Sequence, residues 1–114
     1  MSIQNFTYFN GNTIPFDIVI TDSDNNPQDI TGWTIFFTLK TDINDPDTSA
    51  IIAKTATITD PTAGEANLVI ANTETSGLVG AYYYDMQTKD DNGYITTIMD
   101  GTIEFVQRVT LRTT

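Results

Sequence analysis

The sequence contains no cysteine and no histidine. Without cysteine, disulfides, thiolate catalysis and Cys-ligated zinc are excluded. Without histidine, the commonest general base and the commonest transition-metal ligand are missing. Basic residues are also scarce: 5 Lys and Arg stand against 15 Asp and Glu, for a net charge of −10. Such a field repels polyanions, so neither nucleic acid nor an anionic membrane surface is expected as a partner. The acidity is read first as a device for solubility. No apolar run approaches the roughly 20 residues that a membrane helix needs. The opening MSIQNFTYFNGNTIPF lacks the basic and apolar regions of a secretory signal, so synthesis in a cytoplasm without an export route is expected. No glycine-rich phosphate loop precedes a helix, and no nucleophile–base pair can be assembled. The chain is therefore not expected to be an enzyme, and no cofactor or metal is assigned to it.

Leucine is scarce as well. There are 4 leucines against 14 isoleucines and 21 threonines. β-Branched side chains suit a pleated surface and lose χ1 freedom in helices, so the composition points to an all-β chain. Alternation agrees. In IPFDIVIT, Phe16, Ile18 and Ile20 share a face opposite Asp17 and Thr21. In WTIFFTLK, Trp33, Ile35, Phe37 and Leu39 face inward. ANLVIA groups Ala66, Leu68 and Ile70, and AYYYDMQTK sets Tyr82, Tyr84, Met86 and Thr88 against Tyr83, Asp85, Gln87 and Lys89. Each run has the period of two that marks a strand. Strands are expected near 3–9, 14–21, 33–40, 51–59, 66–71, 80–89 and 94–107. About seven antiparallel strands in 114 residues fit one immunoglobulin-like β-sandwich domain spanning 1–114. The last run is long, and Asp100-Gly101 is expected to mark a bulge or bend. TETSGLVG has room for one helical turn.

The breaks between strands are rich in Asp and Asn. Residues 22–29, DSDNNPQD, raise the question of a calcium loop. An EF-hand register started at Asp22 puts Pro27 where the obligatory glycine belongs and Trp33 where the closing glutamate belongs, so that motif is excluded. A looser site would use Asp42, Asp45 and Asp47, or Asp90 and Asp91, if two loops met. Turn chemistry explains the same residues without an ion, because Asp and Asn side chains bond to nearby backbone and tolerate left-handed conformations. FNGNT, residues 9–13, and KDDNGY, residues 89–94, each carry Asn-Gly, a hairpin signal; for the first, a connection between sheets is equally open.

Three groups of side chains remain to be placed. Tyr82 stands where a tyrosine corner would bond its hydroxyl back to the preceding loop. Tyr84 and Trp33 are expected in the core, Trp33 as its central aromatic. Phe36 and Tyr83 point outward and are the candidate interaction surface, since exposed aromatics mark partner surfaces or sugar platforms. Asp85 and Glu104 also point outward and are read as ordinary surface carboxylates rather than a hydrolytic pair.

Several stretches, NTIPF, DITGW, AGEANL, GAYYYD and DNGYITTIMDGT, resemble the immunoglobulin-like N-terminal domain of phage baseplate upper proteins over about residues 6–107. They are turns and strand starts, so no set of functional residues follows from them. The resemblance implies a virion structural protein, an assembly or adaptor module of a tail or baseplate. Its partners would be other phage structural proteins, with a symmetric homo-oligomer in the virion. Baseplate upper proteins continue into further segments after this domain, whereas this chain ends at Thr114, so a stand-alone decoration protein or small tail component is also expected. A calcium- or carbohydrate-binding module for host adhesion is the alternative reading. An uncovered strand edge or the C-terminal VTLRTT would serve as a contact element.

Overall fold

In the computed structural model, residues 2–109 are described. They form two facing sheets. The strands are β1 (Ser2–Ile3), β2 (Phe6–Phe9), β3 (Ile14–Val19), β4 (Thr34–Lys40), β5 (Ile52–Thr55), β6 (Thr57–Asp60), β7 (Glu65–Ile70), β8 (Gly80–Lys89) and β9 (Ile95–Val106). The larger sheet runs β1-β9-β8-β4-β5, with β2 also on β9, and the smaller runs β3-β7-β6. In immunoglobulin lettering β9-β8-β4-β5 is G-F-C-C′ and β3-β7-β6 is B-E-D. The fold is the expected sandwich.

The expected run 3–9 is two short strands, β1 and β2, and both pair with β9 in parallel, so the sheet is not wholly antiparallel. Between them Gln4 and Asn5 cross close over Gly101, whose φ is 151°. A Cβ there would overlap the Gln4 carbonyl, so glycine is required by the close approach. The bulge of β9 lies not at Asp100-Gly101 but a few residues earlier. Met86 pairs with Met99 and Gln87 with Thr97, which leaves Ile98 as the extra residue.

The run 51–59 also divides. β5 pairs with β4, while β6 pairs with β7 in the other sheet. Ala56, at the crossing, still donates its N–H to the Ile35 carbonyl at 2.9 Å before the chain leaves. Alternation continues through the crossing, so periodicity alone cannot mark it. Of the two Asn-Gly turns, Asp90–Gly93 joins β8 to β9 as a hairpin, whereas Asn10-Gly11 carries the chain from the larger sheet to the smaller. The expected helical turn is α1 (Asn72–Thr75). Its buried Thr75 hydroxyl donates to the Asn12 carbonyl at 2.9 Å and ties that turn to the Asn10–Thr13 connection.

The inward faces meet as the alternation predicts. Ile14 and Ile18 of β3 and Ala66, Leu68 and Ile70 of β7 face Ile35, Phe37, Leu39, Tyr84, Met86, Ile103 and Phe105. Phe37 is the central aromatic, 1% exposed, stacked on Tyr84 at 5.8 Å and tilted against Phe16 at 5.9 Å. Burial of a side chain of that size stabilises by about 1.5–3 kcal/mol. Trp33 does not hold this position. It shares the parity of Ile35 and Phe37 but precedes the first residue of β4, at the end of the sheet, where it is only half-buried. From there it packs against the edge of the core.

Candidate functional site

The aspartate-rich turns settle into one arrangement four times. Asp22 Oδ1 accepts the N–H groups of Asp24 and Asn26 at 2.9 and 3.0 Å. Asp29 Oδ1 accepts from the Thr31 N–H and hydroxyl at 3.0 and 2.6 Å. These bonds hold the Asp29 carboxyl below its usual range, the hydroxyl contributing most. Asp42 Oδ1 accepts from Asn44, and Asp90 Oδ1 from Asn92 and Tyr94. Asp22 and Asp29 of DSDNNPQD and Asp90 of KDDNGY thus fold their own turns. Two loops do meet, since Asp29, Asp90 and Asp91 border an open depression beside Trp33. Among the described residues no group of three or more acidic side chains is placed to hold a metal ion. The side chain of Asp47 and residues 110–114 of the proposed C-terminal contact element lie outside what the structure describes.

Tyr82 bonds back to the Val79 carbonyl at 3.3 Å, the tyrosine-corner contact at the start of strand F. Tyr84 reaches further and donates to the Gln4 carbonyl at 2.7 Å. Burial, with smaller contributions from the charges of Asp100 and Tyr8, pushes its hydroxyl up to about 12.

Among the described residues, Phe36, Tyr83, Asp85 and Glu104 share the outer face of the larger sheet. Cross-strand register lays it out in rows: Lys40–Tyr83–Thr102, then Thr38–Asp85–Asp100, then Phe36–Gln87–Thr97. Tyr83 is 44% exposed and Phe36 half-buried. They share the face but are not neighbours, because the Thr38–Asp85 row separates them by about 13 Å along the strands. Glu104 pairs with Ala81, so it too lies about 13 Å from the Asp85 row, beyond the spacing of a hydrolytic carboxylate pair. A groove of about 500 Å³ runs over this face, walled by Lys40, Ile43, Tyr83, Asp85 and Asp100.

The sequence reading missed the apolar residues at the end of this face. Phe9 and Val106 are register partners, 54% and 39% exposed, and Val79, just before Gly80, is also exposed. The parallel pairing of β2 brings them together, and no local sequence signal announces it.

The sheet edges are interrupted. β3 contains Pro15 and Asp17, β5 contains Lys54, β6 has a register shift before Asp60, and the β1–β2 edge is broken at Gln4-Asn5. Proline, charge, bulges and shortness are the devices by which natural sheets prevent edge pairing. The expected uncovered edge is thus present but poorly suited to receive another strand.

The family model of the BppU N-terminal domain, the domain of phage baseplate upper proteins, matches residues 1–105. The chain belongs to this family. No curated protein matches the chain. The baseplate upper protein family is one of phage structural proteins, so a place among such proteins follows for this sandwich. Among the described residues no helix is long and apolar enough to cross a membrane.

Proposed function

We propose that this sandwich is a non-catalytic assembly or adaptor module of a phage tail or baseplate, built into the virion as a homo-oligomer. Family membership over residues 1–105 carries the reading. The surface supports it. The edges are blunted, while the outer face of the larger sheet exposes Tyr83, Ile43, Phe9 and Val106. Interface cores are enriched in aromatic side chains, so we assign Tyr83 and Phe36 to the contact surface. The alternative of a calcium-dependent adhesion module gains little from the loops, where Asp22, Asp29, Asp42 and Asp90 are engaged in their own turns.

Mass spectrometry of purified phage particles tests the role, and absence of the protein from mature particles would refute it. Light scattering at high concentration tests the oligomer, which a monomer throughout would remove. Tyr83→Ser tests the surface. The variant should keep the wild-type circular dichroism and enter particles poorly, and wild-type incorporation would take this face out of the assembly.

A further inference from the structure

We infer that the outer face of the larger sheet is the contact surface for a second copy of this chain, packed face to face with its strands reversed. This rests on the assembly reading and names the partner of that face.

Apolar side chains run the length of the face. Phe9, Val106 and Val79 are exposed at one end and Ile95 at the other. Tyr83 and Ile3, the latter a register partner of Asp100, are exposed between them. The face is also large enough. Strands about 4.8 Å apart, with outward positions about 6.8 Å apart along each, give it a footprint of roughly 700 Å². A standard interface takes about 800 Å² from each partner. By the same measure the outer face of the smaller sheet, whose strands have at most 6 residues, offers only roughly 300 Å².

Charge favours the same face. The outward positions of its strands carry Lys40 and Lys89 against Asp85, Asp100 and Glu104, a sum of −1 on a chain of −10. The outer face of the smaller sheet carries Asp17 and Glu65 and no base. Two acidic chains therefore meet with least repulsion across the larger sheet, and interface cores are depleted of charge in the same way.

The order of rows selects the orientation. A two-fold axis along the strands would lay each row on its own copy, setting Asp85 and Asp100 against Asp85 and Asp100. Like charges so opposed suppress association. An axis across the strands, between the Asp85 and Tyr83 rows, lays Asp85–Asp100 on Tyr83–Thr102 and Lys89–Ile95 on the apolar Val106–Phe9 pair. Each copy then gives the other the same contacts, as a closed two-fold dimer requires. Lys40 and Asp85 are already engaged within their own chain, so the contact does not depend on salt links between copies.

The test is sedimentation equilibrium of the whole chain, with surface variants. Wild type should form a dimer whose fraction rises with concentration. Val106→Glu should weaken dimerisation about tenfold or more, as loss of a well-packed interface contact predicts. Val69→Glu, which adds the same charge to the exposed outer face of the smaller sheet, should leave it unchanged. Tyr83→Glu, with the same loss expected, carries the test if Val106→Glu fails to fold. The chain has no cysteine, so a spin label on Tyr94→Cys, at the exposed β8–β9 turn, reports one distance. Reversed strands put the two labels roughly 40 Å apart, and aligned rows would put them within about 20 Å. The shorter distance, or equal loss in Val69→Glu, would overturn the inference. A dimer that survives both Val106→Glu and Tyr83→Glu would sink this face and leave the homo-oligomer standing, whereas a monomer throughout would remove both. A reversed dimer of a protein absent from particles would sink the assembly role instead.

Discussion

Replacing Gly101 by alanine probes the crossing that fixes the first strands to the sandwich. The Gln4 carbonyl lies against Gly101 and accepts the Tyr84 hydroxyl at 2.7 Å, while Asn5 Oδ1 accepts the Thr102 N–H at 3.0 Å. A methyl group at position 101 meets backbone, which cannot swing aside as a side-chain tip would. The added contact costs about 1–3 kcal/mol in displaced backbone. The lost Tyr84 bond adds about 1 kcal/mol. Together they predict a destabilisation of roughly 2–4 kcal/mol, a large part of the 5–15 kcal/mol typical of a domain. At about 4 °C per kcal/mol, Tm falls by roughly 8–16 °C. Urea unfolding with an unchanged m-value measures the loss. Hydrogen exchange locates it, with protection lost first at the Gln4 N–H, which bonds to the Asp100 carbonyl at 2.9 Å, and at the Thr102 N–H. Gly77 is the control. A Cβ there meets only open space, so Gly77→Ala should be neutral or stabilise by about 0.4–1 kcal/mol. A Gly101→Ala variant within about 0.5 kcal/mol of wild type would refute the close crossing, since that is the range of an ordinary surface substitution.

Four further outcomes are expected. The Tyr84 hydroxyl holds its proton to about pH 12 in the folded chain and releases it near the ordinary value of 10.0 when unfolded, so the stability it contributes is full below pH 10.0 and is lost as pH rises toward 12. Tyr84→Phe should abolish the highest-pH phase of phenolate absorbance, and its persistence would show that another tyrosine carries it. Lys54 donates to Glu74 at 2.7 Å, and this bond, with the Ala71 N–H, holds the Glu74 carboxyl below its usual range; acidification through that lowered value should loosen α1, and Glu74→Gln should flatten the acid limb of the stability profile. Millimolar calcium should leave Tm unchanged, whereas a rise of several degrees would restore the calcium reading of the turns. On ageing, exposed Asn92 should deamidate before Asn10, which is 1% exposed with its amide held by Gln107 Oε1 and the Arg108 N–H; isoaspartate mapping that finds Asn10 changed first would contradict this packing.

The strands were legible where alternation stayed within one sheet. β4 and β8 run as expected because Ile35, Phe37, Leu39, Tyr84 and Met86 cannot leave the core without turning every neighbour outward. Legibility failed where a run is shared. Residues 52–60 keep their period while passing from one sheet to the other at Ala56, and the period carries no record of which sheet is the partner. Trp33 has the parity of the core but precedes the first residue of β4, and parity says nothing about where along a strand full burial begins. Of the candidate surface, Phe36 and Tyr83 were readable as outward-facing. The pairing of Asp85 with Asp100 was not, because it depends on register across β8 and β9 and on a bulge at Ile98.

Composition and short-range pattern determined that this chain is all-β, has neither cysteine nor histidine and turns its corners with aspartates. These are properties of individual residues and of neighbours within a few positions, and they act before the chain folds. Tertiary structure alone decided that β2 runs parallel to β9, that Gly101 must yield to the Gln4 carbonyl and that two carboxylates face each other beside Tyr83. Each joins residues far apart in sequence, and their meeting is set by how the two sheets close on one core, which no local periodicity encodes.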